Sequence, residues 1–430
     1  VNVKQIQYRA AKMLAQLQDS TRRRKLVTGI IAGAPTEESR LRMAVEAQLH
    51  WSGVMLCAVA VTERAPVRVN LVLPELRSSA LFAGIDTALR ASGFLANERK
   101  APLRVVSLGN EMDAKGRRIL ETEVRRRAGL DPMNALELVG REGLVGLEVN
   151  EADIWVPTHW TTAHAVGTAA GLTGALQVQN VVYLIQDYEP GFTPWSTDYA
   201  LARATYHAGF HSVINSMPLA RYLESAEKLE VPDEEVFRPE VRVPQGTPAD
   251  RRPEKALRVA FYGRPSKPRN LFGLGVAVLQ RVAQEVEQWD VEVEFVSAGE
   301  AHAPIALTEA LVLRPVGRLS WDDYFRLIAD SDVLLSLQHS PHPSHPPFDA
   351  VVRGCYAVTN EFGGIRNTLS PLIYAREPRV DELAGAIVAA LRRVREDGRP
   401  APDKDIVSKL GQPLENVMLM ASQRVGMRPS

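Results

Sequence analysis

The chain has 430 residues, and its 51 Lys and Arg balance 51 Asp and Glu to a formal net charge of zero. At roughly 100–200 residues per domain this is a two-domain chain, and 45% hydrophobic residues give each half an ordinary core. The balanced charge argues against a nucleic-acid partner, which needs a surplus of cations on one face. Two distant cysteines, Cys57 and Cys355, exclude a disulfide scaffold or a cysteine-rich metal site and fit a reducing compartment.

No apolar run reaches the ~18–20 residues that span a bilayer; the longest candidate, Val54 to Val61, is far too short. Arg22-Arg23-Arg24-Lys25 before Leu26 to Ala34 has the basic start of an export signal without the rest of that pattern, and reads as a charged helix end. Residues 1–25 read as a basic amphipathic helix, with Ile6, Met13, Leu14 and Leu17 on one side and Lys4, Arg9 and Lys12 between. Packing on the first domain is its leading reading and a membrane surface its second. A cytoplasmic protein is expected, with peripheral contact at the inner face of the cell membrane as the alternative. Residues 30–65 show no clean pattern, so 1–65 is set apart as an N-terminal helical extension.

From Val67 short apolar runs alternate with helical stretches. Strands are predicted at Val67 to Leu73, Leu103 to Leu108, Ile154 to Pro157, Val181 to Ile185 and Ser212 to Asn215. Helices are predicted at Ser79 to Ser92, stopped by Gly93, at Thr161 to Leu176, and at Tyr199 to Ala208 before Gly209. Such alternation means βαβ units and a parallel sheet. Over 238–255, Pro239, Pro244, Pro248 and Pro253 break the pattern and read as a linker. The expected domains are 66–240 and 257–430, joined by 241–256. In the second, strands are predicted at Leu257 to Tyr262, Val291 to Val296, Leu311 to Arg314, Val333 to Leu337 and Tyr356 to Thr359. Helices are predicted at Asn270 to Gln288, Trp321 to Ala329, Phe348 to Arg353 and around Val380 to Val394, ended by Gly398. Two Rossmann-like α/β halves form a cleft, and ligands bind such sheets at the carboxyl ends of the strands.

Four segments at those ends can carry chemistry. In Gly263-Arg264-Pro265-Ser266-Lys267-Pro268-Arg269-Asn270, three cations precede a helix that Asn270 is placed to cap, an arrangement that suits a diphosphate; a solvated basic loop is the alternative. Neither GxxxxGK[ST] nor GxGxxG occurs. In Ser336 to Asp349, His339, His342 and His345 are spaced by three, but the prolines forbid the helix that would stack them. Loop imidazoles converging on a metal are the lesser reading. A rigid loop leading to a helix with Pro347 first and Asp349 in its opening turn is the better one. In Gln186 to Ser196, Asp187, Glu189, Tyr188 and Trp195 combine carboxylates with rings, which suits a sugar's hydroxyls and faces; local packing is the alternative. Thr158-His159-Trp160 ends a strand on the same edge, where His159 either faces the sugar or is merely packed. Asp330-Ser331-Asp332 has the form of a metal-binding DxD but precedes its strand, and reads as a helix stop.

These segments carry a resemblance. The chain resembles GT-B-fold glycosyltransferases of family four, and among them is most similar to bacterial rhamnosyltransferases of surface-glycan rhamnans. The likeness rests on Ile185 to Ser196, on Phe261 to Asn270, on Leu335 to Asp349, and on the turn Gly317-Arg318-Leu319-Ser320 before Trp321. It spans about residues 65 to 395 and implies a GT-B fold of two Rossmann-like domains. It implies a retaining, metal-independent transfer of a sugar from a nucleotide diphosphate to a glycan or lipid-linked glycan, with no cofactor. By the same resemblance Gly263, Arg264, Lys267, Arg269 and Asn270 hold the diphosphate. Gly317, Arg318 and Leu319 border the base, Ser340, Pro346, Pro347 and Phe348 line the donor side, and Asp349 meets the ribose. Asp187, Glu189 and His159 are the catalytic candidates, with Tyr188, Trp195 and Trp160 toward the acceptor sugar. The family's paired glutamates, eight positions apart, are replaced here by Pro341 and Asp349. The implied donor is a deoxysugar such as rhamnose on dTDP, with UDP- and GDP-sugars open. An inactive nucleotide-binding scaffold of a glycan assembly complex and a nucleotide-sugar epimerase are the other readings.

Overall fold

The computed structural model describes residues 54–77, 81, 84–109, 114–244, 256–342 and 344–426. The expected helix over 1–25, the tract from Arg22 to Ala34 and much of the expected linker lie outside them.

Short, β-branched runs make the strands of the first half. Val69–Leu73, Leu103–Ser107 and Ile154–Pro157 are buried at every position, as expected of parallel strands covered on both faces. They pair in parallel with Leu136–Val139, in the spatial order Leu136–Val139, Leu103–Ser107, Val69–Leu73, Ile154–Pro157. A parallel bridge from Trp155 to Val181 adds Val182–Ile185, His211–Asn215 and Val236–Phe237. Strand order therefore reverses between Val69–Leu73 and Ile154–Pro157. The crevice outside the ends of Leu73 and Pro157 is the switch point where such sheets take ligands.

The second half repeats the plan. Its sheet runs Ile305–Ala306, Val312–Gly317, Glu292–Gly299, Ala256–Gly263, Val333–Leu335, Tyr356–Asn360, Ile373–Arg376. All pairs are parallel except the first. Its switch point lies between Gly263 and Leu335, so the cationic segment and the Ser336 to Asp349 segment leave it side by side.

Several boundaries differ from expectation. Gly93 does not stop a helix; it lies inside Gly84–Glu98, where a Cβ would stand 1.9 Å from the carbonyl oxygen of Ala128. It is there for close helix approach, since Ala114–Ala128 crosses at that point. Asn270 does not cap the long helix, which runs Phe272–Val286 and is preceded by Leu271 in the left-handed region at φ 47°. The expected second domain, 257–430, includes a helix that packs elsewhere. On Leu414–Arg424 the side chains of Leu414, Val417, Met418 and Ala421 join the first-half core around Val69, Leu89 and Leu184. Asp332 of the DxD-like triplet accepts from the Arg258 N–H at 2.7 Å and from Arg399 Nε at 2.6 Å. That is the work of a buried structural carboxylate. No helix among the described residues is long and apolar enough to cross a membrane.

Candidate active site

The first-half switch point is built on the helix Trp160–Thr173. His159 is its N-cap: Nδ1 accepts from the Thr161 N–H at 3.3 Å, while Thr162 Oγ1 accepts from the His159 N–H at 3.1 Å. With Nδ1 an acceptor, Nε2 carries the proton of the neutral ring. Burial pulls the imidazole down to about 4, so the ring is neutral at physiological pH. Nε2 lies 4.0 Å from Glu189 Oε1.

Glu189 is 6% exposed. Its carboxylate accepts the Trp160 N–H at the same helix N-terminus, where the dipole favours negative charge. Burial nevertheless pushes its carboxyl well above the ordinary range, the Asp187 charge adding to the push and Arg269 opposing it. The expectation that Glu189 meets sugar hydroxyls beside Asp187 is corrected: it lies beneath the site and orders His159 and Trp160. Tyr188 is corrected likewise. It is buried, donates to Glu227 Oε1 at 2.6 Å, and packs edge-on to Tyr222. Trp195 is 89% exposed and stacks on Tyr199 at 4.9 Å between centroids, leaving an indole face free.

Asp187 reaches across to the second half. Oδ2 accepts from Arg269 Nη1 at 2.7 Å, and Oδ1 accepts from Ser340 Oγ and from the Tyr188 N–H at 2.8 Å. Phe192 bridges the same gap: its ring faces His159 at 6.3 Å, and the Arg269 guanidinium stands 4.2 Å above it. Phe192 had no assigned role in the sequence, although it lies in the loop that stood out for its acids and rings.

The cationic segment is shaped by Gly263, where a Cβ would meet Ser297 Oγ at 2.5 Å. Arg264 Nε lies 3.6 Å from Glu300 Oε1. Glu300 also takes the Ser266 N–H and hydroxyl at 2.9 and 2.7 Å, which hold its carboxyl below the usual range. Lys267 is exposed on the same turn. Asn270 is buried and donates to the Leu337 carbonyl at 3.2 Å and to Gln338 Oε1 at 2.8 Å, tying the two switch-point segments together.

Pro346, not Pro347, opens the short helix Pro346–Val351. Phe348 is corrected from donor lining to core, fully buried among Leu335 and Val358, and Pro346 and Pro347 are buried too. Asp349 is 2% exposed. Tyr324 Oη donates to it at 3.3 Å and Arg353 Nη1 stands 4.0 Å away. Burial outweighs both and pushes the carboxyl up to about 7. Gly317 takes the left-handed turn at φ 70°. Arg318 follows exposed and Leu319 half-buried, and Ser320 caps Trp321–Ala329 by accepting the Asp323 N–H. His339, His342 and His345 do not converge. His339 meets Phe362, His342 accepts the Ser344 N–H, and among the described residues no group of three metal-ligating side chains occurs.

Two parallel sheets in Rossmann order, facing each other through their switch points, are the GT-B architecture. The chain resembles solved structures of that class at the level of fold. It matches the lipopolysaccharide outer core galactosyltransferase WaaB, apo form, at TM-score 0.51 and 10% identity, over 83% of this chain and 99% of that one. It matches the OtsA apo structure at the same TM-score and identity, over 84% and 100%. The WsaF N-terminal domain family matches residues 68–217 and the WsaF C-terminal domain family residues 257–388, together the larger part of the chain. The chain belongs to the WsaF family. It is also 32% identical over 217 residues to the O-antigen biosynthesis protein RfbC of Myxococcus xanthus, covering 49% of this chain but only 16% of that protein's length.

Proposed function

We propose that the chain is a retaining glycosyltransferase of surface-glycan synthesis. It transfers a sugar, by preference L-rhamnose from dTDP-rhamnose, to a glycan or lipid-linked glycan without a metal. The observation that carries this reading is the meeting of Asp187, from one switch point, with Arg269 and Ser340, from the other. A ligand held between those points touches both domains at once.

Arg264, Lys267 and Arg269 face the position of a diphosphate, and their charge offsets the charge of a departing nucleotide in place of a cation. Asp349 is the carboxylate that would accept from a ribose hydroxyl, which requires its 2%-exposed side chain to be uncovered on binding. Neutral His159, fixed by its cap, presents Nε2–H to the transferred sugar and orients it. Trp195 offers its free face to an acceptor ring. Closure over these groups excludes water and aligns acceptor with donor. The relative from Myxococcus xanthus, named for O-antigen biosynthesis, and the galactosyltransferase of the same fold support transfer over epimerisation.

The test is incubation with dTDP-rhamnose, UDP-glucose, UDP-galactose and GDP-mannose in turn, with chelator and without. Release of free sugar or its transfer to a rhamnan oligosaccharide, insensitive to chelator, is expected. A new sugar still attached to nucleotide would point to an epimerase, binding without turnover to the scaffold, and activity restored by magnesium or manganese would overturn metal independence.

A further inference from the structure

Arg366 lies outside every segment that carries a motif in the sequence. It opens the short helix Arg366–Leu369 after Gly363 and Gly364, and its side chain runs inward until it is 1% exposed. Its guanidinium is held by neutral oxygens alone. Nη2 donates to the carbonyls of Gln338, at 2.9 Å, and Ser340, and Nη1 to the Asn360 carbonyl at 2.5 Å and Thr359 Oγ1 at 3.3 Å. Among the described residues no carboxylate is within ion-pair distance of it, and its Nε is buried without a hydrogen-bond partner. A buried charge met by carbonyl dipoles and, only at longer range, by the Glu361 and Asp187 carboxylates is still costly, and an apolar side chain of like size would hold a core more cheaply. What an apolar side chain would not do is grip two carbonyls of one loop.

That loop is the one that meets the first domain. The two carbonyls on Nη2 flank His339, whose N–H donates to the Arg269 carbonyl at 2.7 Å. Ser340 Oγ donates to Asp187, and Asp187 accepts from Arg269 Nη1 at 2.7 Å. The contacts close a ring: Asp187, Ser340, His339, Arg269, and back to Asp187. Asn360 backs the ring with its own pair, accepting the Gln338 N–H at 2.8 Å and donating to the Gln338 carbonyl at 3.0 Å. We propose that Arg366 is a positioning residue that fixes the 338–340 loop so that Ser340 and Arg269 receive Asp187 together. Its catalytic consequence rests on the function proposed above. Lysine does not substitute, because a single ammonium nitrogen cannot hold the Gln338 and Ser340 carbonyls and, at the other end of the fork, the Asn360 carbonyl together.

The test is hydrogen exchange on the intact chain for the parent, Arg366→Lys, Ser340→Ala and the double variant. Arg366→Lys is expected to speed exchange about tenfold or more in 337–341 and in 186–193, the latter in the other domain. Ser340→Ala is expected to do the same in 186–193. The double variant adds less than about twofold there, because both act through one link. Change confined to the second domain, or effects that multiply, overturns the proposal. Where the lysine variant does not fold, Arg366→Gln keeps a planar amide donor without burying a charge and is held to the same outcomes; if neither folds, the arginine is merely structural and the proposal falls. In transfer assays kcat should drop about tenfold with nucleotide affinity within about threefold. A parent without transfer defeats the proposed function but leaves the exchange result to judge Arg366.

Discussion

Replacing Asp187 by asparagine keeps the side chain's shape and removes the charge that Arg269 meets at 2.7 Å. With side chains 38% and 18% exposed, the pair stands between surface pairs, worth ~0.2–1 kcal/mol, and buried ones, whose rupture costs ~3–5 kcal/mol. A value of about 1–2 kcal/mol follows, and it acts in two directions. Stability falls by that amount, which for a chain of this size lowers Tm by only a few degrees. Nucleotide affinity rises, because a diphosphate that takes Arg269 no longer displaces a carboxylate. The full pair energy sets a ceiling of roughly 5–30-fold on the gain. An increase of about three- to tenfold is expected, since the freed guanidinium is re-solvated. Transfer should nonetheless slow at least about tenfold, ~1.4 kcal/mol of barrier, because Ser340, the link from Asp187 to the donor loop that persists once the diphosphate has taken Arg269, loses its charged acceptor. Calorimetry with dTDP, UDP and GDP at low and high salt, alongside the transfer rate, measures both. If Asp187→Asn binds all three nucleotides no more tightly than the parent, Asp187 does not compete for Arg269 and the diphosphate assignment fails.

Arg264→Ala is expected to weaken nucleotide binding by ~1.5–3 kcal/mol, the scale of charge-assisted hydrogen bonds; unchanged calorimetric affinity would remove Arg264 from the site. Trp195→Ala, at a position 89% exposed, should leave Tm unchanged and raise acceptor KM about fivefold, the loss of ~1 kcal/mol of stacking. An equal KM would leave the indole without a ligand. Burial lets Asp349 hold its proton up to about pH 7 in the fold, against an ordinary aspartate value of 3.8. The folded chain therefore binds more protons between those values, and this group's contribution to stability is full below the lower and lost as pH rises through the upper. Asp349→Asn should flatten Tm across that window, and a parent Tm that does not fall there contradicts the burial argument. Gly93→Ala places a Cβ against the Ala128 carbonyl and should cost ~1–3 kcal/mol, read as a lower urea midpoint.

The alternation of β-branched runs with helices was enough to read two Rossmann-like halves, and strand ends were enough to find the segments that meet at the switch points. Short strands escaped because a run such as Val236–Phe237 has no period to detect. Side-chain direction escaped more often than position. Asp187 and Glu189 look equivalent in the sequence, yet one faces the opposite domain and the other lies under a helix N-terminus, a difference set by the tight turn Glu189–Phe192 that follows the strand. The sequence places Tyr188 and Phe348 toward a ligand because an aromatic beside polar residues gives no sign of which way it packs. Arg366 was invisible because its partners are main-chain carbonyls, which every residue possesses. The return of Leu414–Arg424 to the first half was hidden for a different reason: an amphipathic helix records that it has a core face, not whose core it joins.

That return changes the mechanics of the cleft. The outgoing chain at Phe237 and the returning chain at Gln412 lie side by side, with the Gln412 N–H on the Val236 carbonyl at 2.8 Å and the Arg238 N–H on the Gln412 carbonyl at 2.9 Å. Gly411 lets them touch, since a Cβ there would stand 2.6 Å from the Val236 carbonyl. Two bodies tied by one tether can swing, roll and twist. Tied by two adjoining strands laced together, they behave like a door on a pin, with swing as the soft motion and roll and twist resisted. On that geometry Asp187 is expected to meet Arg269 and Ser340 along one arc, set by the paired strands at Phe237 and Gln412.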